Sequence, residues 1–339
     1  MQEIVLAEKG KTSRPFLEAS KIIPRSCSLP LQRRIVDFGA DVPFRDVPKK
    51  LLEHYGMEVC PEIIRKTTLG HAEKMGSIKT DQKDRVQQTG VMQLIAEADG
   101  GMIPIVIMND HAEDKRKTRK VLWKEARLCF CRDYKKIGAV FKATLKSTEV
   151  LGDLWFTSAL EAGMGNQTKI HCIGDGALWI KEQADRIFGG KNTYLTDFYH
   201  VSEYLAKVSN DYSKEPDKWL EEQQIHLKEG RLYRVLQELE KYVYGKEEPK
   251  ESAQACYRYL TNRMLQLDYL GAILEKLPIG SGEIESAHRH VVQKRMKRAG
   301  SWWKEENAEK MLQLLTLRAN GLWGHYWANV QNGFTEQAA

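Results

Sequence analysis

Residues 168–180, TKIHCIGDGALWI, decide the class of fold. A short apolar run ends in Gly174-Asp175-Gly176, and a helical pattern begins at once over 177–188. The next strand-like run, NTYLT at 192–196, lies beyond that helix. Two strands joined through a helix are parallel, and a strand-helix-strand unit of this kind marks an α/β protein.

Working back from this unit, EVLGDLWFTSALEA (149–162) reads as a helix, and three strand-like runs precede it: MQLIAEA (92–98), MIPIVIM (102–108) and VLWKEARLCFC (121–131). The first two are parted by Asp99-Gly100-Gly101, a strong hairpin signal, so the pattern predicts three antiparallel strands before the parallel ones, in a mixed sheet covered by helices. Working forward, residues 200–275 are almost wholly helical in pattern, and two more helices, divided near Gly300, occupy 281–320. Near the start, DVPKKLLEHYG (46–56) and CPEIIRKTTLGHAEKM (60–75) place Pro48 and Pro61 at helix starts and Gly56 at a helix end. Two helices joined by a short turn fit a helix-turn-helix offering Glu62, Arg65 and Lys66 to a DNA groove, and fit a plain helical hairpin equally well.

The bulk numbers narrow the function classes. No run nears the roughly 18–20 apolar residues of a membrane span, and the first residues, MQEIVLAEKGKTSRP, have no signal-peptide pattern, so an intracellular, cytoplasmic protein is expected. The six cysteines are scattered without zinc or disulfide spacing, and Cys129 and Cys131 read as two small apolar residues of a strand. Net charge is +6, but basic residues gather at KRKTRK (115–120), a solvated loop, and between Arg289 and Lys304. The second run, with Arg289, Lys294, Arg295, Lys297 and Arg298, has no carboxylate before Glu305 and favours a polyanionic partner such as DNA.

Three acidic positions stand where chemistry is placed. Asp175 follows a strand and is flanked by glycines, where α/β sheets bind ligands, although an aspartate there also suits a turn that opens a helix. Asp99 sits at an Asp-Gly step that serves as a turn as well as a site. In PIGSGEIESAHRHVVQKRMKRAGSWW (278–303) a helix opening at Gly280-Ser281-Gly282 carries Glu283, Glu285 and His288, and helical spacing alone does not choose between the two glutamates. His288 also suits a packed core position. Trp302-Trp303 suits either stacking on an unpaired base or capping the core.

Taken together, IGDGALWI, LTDFYHV, GSGEIESAHRHV with RMKRAGSWW, and more loosely EADGGMIPIV, resemble the DDE transposases of bacterial insertion sequences, in the branch related to Mutator-like elements. The resemblance covers about residues 40–325. It implies an RNase H-like core with Asp99, Asp175 and Glu285 as catalytic residues that bind two Mg²⁺ or Mn²⁺ ions. Asp197 and His200 match the D-x-x-H motif of that branch, and with His288 they are expected to support the site. The implied partners are DNA, as terminal inverted repeats and target, and a second copy of the chain on DNA, with the protein cytoplasmic and nucleoid-associated.

The domain reading is a 1–88 arm and helix-turn-helix, a 89–199 first part of the catalytic core, a 200–278 helical insertion, a 279–325 segment returning to the core, and a 326–339 tail. The expected activity is phosphodiester cleavage at element ends and transfer of the 3′-OH to target DNA. A non-catalytic domesticated DNA-binding protein and an RNase H-like nuclease without strand transfer are the alternatives.

Overall fold

A computed structural model describes residues 6–8, 11–13, 27–77, 89–109, 111–245 and 248–336. The rest of the expected N-terminal arm and the last three residues of the expected tail lie outside the described residues. The chain is mixed α/β and divides into two compact units: Met1–Thr80 with Met102–Ala126 and Arg289–Ala339, and Asp81–Gly101 with Arg127–His288.

The second unit contains most of a five-stranded sheet. Strands β1 (Gln93–Ile107), β2 (Lys120–Asp133), β3 (Val140–Thr144), β4 (Lys169–Gly174) and β5 (Asn192–Thr196) lie in the order β3-β2-β1-β4-β5. Strand β4 runs parallel to both β1 and β5, while β2 and β3 are antiparallel. The parallel unit expected from TKIHCIGDGALWI is therefore present, with helix α5 (Leu178–Phe188) as its crossover.

Alternation in β1 sends Leu94, Ala96 and Ala98 to one face. There they join Cys129, Cys131, Ile170 and Cys172 beneath Leu151, Trp155 and Ala159 of α4 (Thr148–Glu161) and Ile180 and Ala184 of α5. Both strand cysteines are fully buried and unbridged, as expected, and burial raises their thiol pKa values. The insertion folds as α6 (Phe198–Tyr212), α7 (Pro216–Lys228), α8 (Leu232–Val243), α9 (Glu251–Thr261) and α10 (Tyr269–Leu274) around Val201, Leu205, Val235, Leu239, Cys256 and Tyr269. Burying each such aliphatic side chain is worth about 1.5–3 kcal/mol, enough for this all-helical segment to keep its own core.

Two strand expectations are corrected. The runs at 92–98 and 102–108 are one strand, β1, which passes through Asp99-Gly100-Gly101 without a hairpin. The third antiparallel strand is instead β3, a five-residue run after VLWKEARLCFC that was too short to stand out by pattern. Gly101 is there for space, since a Cβ on it would lie 2.4 Å from Cε1 of His288.

The first unit is built from α1 (Leu29–Asp41), α2 (Val47–Tyr55) and α3 (Pro61–Gly76) with α12 (Glu305–Ala319) and α13 (Trp323–Glu336). Ile35, Val47, Leu51 and Ile64 form the core of the first three helices. Gly56 ends α2 at φ 62°, in the left-handed region that glycine occupies without strain. The expected tail from residue 326 is replaced by α13, whose Tyr326 is buried and whose hydroxyl lies 2.7 Å from Nδ1 of His71. Helix α11 (Gly282–Ala287) continues through a π-helical stretch, His288–Gln293, into Lys294–Met296.

Candidate functional site

The first half of β1 and the carboxyl ends of β4 and β5 carry acidic residues of the sheet unit. Glu97 of β1 pairs with Ile173 of β4 at the end of their shared ladder, and Asp99 and Asp175 each follow that pair by two residues, Asp175 in the loop after β4. Oδ1 of Asp99 accepts the Gly100 amide at 2.7 Å, and Oδ1 of Asp175 accepts the Ala177 amide at 2.8 Å. The turn-forming role open to Asp175 from sequence is thus filled by one of its oxygens.

The Asp175 loop is gripped from the insertion. Tyr259 donates its hydroxyl to the Asp175 carbonyl at 2.7 Å, and Arg263 donates Nη2 to the Gly176 carbonyl at 2.7 Å while its guanidinium stacks 4.0 Å from the Tyr259 ring. Gly176 has φ 90°, and a Cβ on it would meet the Tyr259 hydroxyl at 2.3 Å, so both backbone conformation and space require glycine.

Asp197 ties β5 to the start of α11. It is buried, its Oδ1 accepts the His200 amide at 2.7 Å as the cap of α6, and its Oδ2 accepts from both the amide and the hydroxyl of Ser281, the latter at 2.6 Å. His200 is half-buried, edge-on to Tyr204 and Tyr259, with Nδ1 3.6 Å from Glu203. Here the D-x-x-H motif places a carboxylate that organises backbone and a histidine packed among tyrosines.

Glu97, which sequence reading passed over, supplies the other tie. It is fully buried, and Oε2 accepts the Ile284 amide at 2.9 Å, so the residue two before Asp99 bonds the residue one before Glu285. Among the described residues its Oε1 finds no partner. Burial pushes its carboxyl pKa up to about 8, and the negative charge of Glu283 adds to the rise. The only local signal was an acidic residue inside an apolar run. Its partner lies 187 residues away.

The choice between Glu283 and Glu285 is informed by Arg132, whose Nε and Nη2 hold both oxygens of Glu283 at 2.7 and 2.5 Å. Glu285 is exposed on the same first turns of α11. His288 is 1% exposed and packs against Gly101, the core position open to it from sequence. Among the described residues no group of three His, Cys, Asp or Glu side chains is already gathered as a metal site. Asp99 and Asp175 follow a paired step of β1 and β4, and the Glu97 tie brings the turn that bears Glu285 to β1.

The basic residues belong to the other unit. Arg65 is chelated by Glu62 at 2.9 and 2.7 Å, and Lys66 lies exposed 3.6 Å from the same carboxylate. Arg289, Lys294, Lys297 and Arg298 are exposed. Arg295, expected on that basic face, is instead 3% exposed, because its Nε donates to the Gly39 carbonyl at 3.0 Å and its guanidinium packs on Phe44 and Trp303. The two tryptophans divide the roles open to them: Trp303 is buried, donating Nε1 to the Met296 carbonyl, while Trp302 is 43% exposed. No described helix is long and apolar enough to cross a membrane.

The sequence profile of a family described as "Uncharacterised protein family (UPF0236)" matches residues 43–331. Similar curated proteins come from Caldanaerobacter subterraneus subsp. tengcongensis. One UPF0236 protein, whose name joins eleven locus designations, is 25% identical over 278 residues, covering 78% of this chain and 54% of its own length. A second, whose name joins four, is 28% identical over 155 residues, covering 45% of this chain and 31% of its own. The chain thus spans about half the length, or less, of the curated relatives it matches.

Proposed function

This chain belongs to the UPF0236 family, and we propose that it is a DNA transposase whose sheet unit is RNase H-like and whose site cleaves phosphodiesters and transfers the 3′-OH to target DNA. The observation that carries the reading is the pair of ties at the sheet end. Asp99 and Asp175 each follow the paired Glu97 and Ile173 by two residues, and Glu97 holds the backbone of the helix that bears Glu285.

The strand order β3-β2-β1-β4-β5, with helices after β3, β4 and β5, supports an RNase H-like reading of the sheet. The names of the relatives add a second support: one protein designated at eleven loci of one genome has the copy number of a sequence that moves.

The donor set fits divalent metal. Asp99, Asp175 and Glu285 offer carboxylate oxygen alone, the hard ligand type suited to Mg²⁺ or Mn²⁺. Two such ions, when bound, supply a nucleophile at neutral pH and stabilise the leaving oxygen. The chain's own part is placement. Asp99 and Asp175 follow paired positions of adjacent strands, and in this reading side-chain rotation gathers them on the ions. Asp197, through Ser281, and Glu97, through Ile284, fix the first turn of α11 so that Glu285 approaches the same place. Arg132 keeps Glu283 out of the set. His288 and His200 serve as packing supports.

DNA is held by the helical unit in this reading. Helices α2 and α3 act as a helix-turn-helix with Lys66 and Arg65 toward the groove, and Arg289, Lys294, Lys297 and Arg298 neutralise phosphates. Bringing two element ends together calls for at least two copies on DNA.

The test uses a supercoiled plasmid carrying the gene with its native flanking DNA, incubated with the protein and Mg²⁺ or Mn²⁺. Metal-dependent nicks at the flanks and joined products are expected. Asp175→Asn should lower the nicking rate about 10³-fold or more, while DNA binding by gel shift persists. Bound but uncut DNA with the wild-type protein, or equal cutting by both proteins, overturns the enzyme. Nicks without joined products would leave a nuclease.

A further inference from the structure

The helical unit contains a cleft of about 670 Å³ between the start of α12 and the segment after α1, a volume in the range of ligand sites. Its lining includes Phe44, Arg45, Arg65, Arg295, Trp302 and Lys304, with Glu306 as the one carboxylate. Arg295 sets this cleft apart from an ordinary basic surface. The residue is 3% exposed, and apart from Nε on the Gly39 carbonyl no hydrogen bond or ion pair reaches its side chain among the described residues. Phe44 at 5.0 Å and Trp303 at 4.7 Å face the guanidinium with their rings, which orients it without neutralising it.

Its two Nη groups have no hydrogen-bond partner among the described residues and are not sealed from solvent, so their planar fork is open to the oxygens of a phosphate. Burial, with Arg298 near, lowers its pKa only to about 10, so it stays charged at neutral pH. Arg295 also borders a smaller cleft of about 300 Å³, but the carboxylate there, Asp41, is already bonded by Arg318 at 3.1 Å. In the larger cleft Lys304 is exposed and unpaired among the described residues, and the first turn of α12, a 15-residue helix with no side-chain cap, adds its amide end. Glu306 is exposed and makes no ion pair with Arg295. The guanidinium of Arg119 lies 4.0 Å over one face of Trp302, fixing an exposed ring beside the cationic pair.

We propose that this cleft is a subsite for one phosphodiester of a nucleic-acid strand, the phosphate accepting hydrogen bonds from Arg295 Nη and Lys304 Nζ while a base lies along Trp302. The choice of polymer rests on the transposase reading, whereas the anion chemistry rests on Arg295 itself.

Binding of a thymidine trinucleotide and of inorganic phosphate to the full chain, followed by tryptophan fluorescence, tests this. Lys304→Ala and Arg295→Met should each weaken the trinucleotide at least tenfold, and Trp302→Leu should weaken the trinucleotide but not phosphate. If Arg295→Met does not fold, Lys304→Ala, at an exposed position, carries the test alone. Unchanged trinucleotide affinity in the variants that fold overturns the subsite, and phosphate binding as tightly as the trinucleotide overturns the nucleic-acid occupant. Asp175→Asn should bind the trinucleotide as wild type does. A wild-type protein that binds the trinucleotide through Lys304 yet never nicks DNA keeps the subsite and sinks the transposase reading. Nicking with a trinucleotide affinity indifferent to Lys304 does the reverse.

Discussion

Glu97 and Asp197 in the sheet unit and Arg295 in the helical unit are all ionisable residues taken almost wholly out of water, yet their surroundings differ. The two carboxylates accept backbone amides from the segment that opens α11, so their polarity fixes where a helix begins. Arg295 gives one N–H to a carbonyl and rests on aromatic faces, so most of its donor capacity is unspent. Buried acid here builds a framework, while buried base holds a binding group ready. Burial of an ionisable group is therefore not one kind of signal, since the partner decides whether it acts as mortar or as a hook.

The largest way to sharpen the contrast is pH. Glu97 has its folded pKa raised from 4.5 to about 8, so its stabilisation is full below about pH 4.5 and is lost as pH rises through about 8. His71 of the helical unit is buried with both ring nitrogens in hydrogen bonds to Tyr326 and Gln32, and desolvation depresses its pKa from 6.5 to about 4. Its contribution is present above about pH 6.5 and is lost as pH falls through about 4. Alkali should loosen the sheet unit by on the order of 4 kcal/mol, and acid the helical unit by on the order of 3 kcal/mol. Amide exchange in 94–98 against α3 across that range reads both, and Glu97→Gln should flatten the alkaline limb. Parallel pH responses in the two units would break the comparison.

Next in size, Asp197→Ala removes three hydrogen bonds, one of them the cap of α6, with an expected cost of about 3 kcal/mol in denaturant unfolding. Loss of that carboxylate should also abolish nicking if it sets the Glu285 helix; full activity in a folded Asp197→Ala protein would deny it the framework role. Smaller still, Gly101→Ala should cost about 2 kcal/mol, because the added methyl meets the His288 ring, whereas Gly282→Ala, with open space at its Cβ, should change little. Equal melting temperatures for those two variants would remove the steric reason for Gly101.

Much of this was legible in the chain. Strand β5 falls on NTYLT and α5 on the run after Gly176, because a local period and flanking glycines suffice to mark a βα unit. The merger of two runs into β1 was not legible, since Asp-Gly-Gly favours a hairpin locally and only the distant His288 ring explains the second glycine. Glu97, Arg132 and the Tyr259–Arg263 grip were also hidden, as each acts on a partner remote in sequence. Arg295 looked like one more member of a basic run, and only packing against Phe44 and Trp303 set it apart.

The grip of Tyr259 and Arg263 on the Asp175 loop bears on anyone who would pare the protein down. Splicing out 200–275 as a dispensable ornament would strand two loop carbonyls and leave a hollow beside Gly176, so a trimmed version needs a surrogate hydroxyl and guanidinium at those spots. Grafting a foreign insertion succeeds or fails on the same two donors.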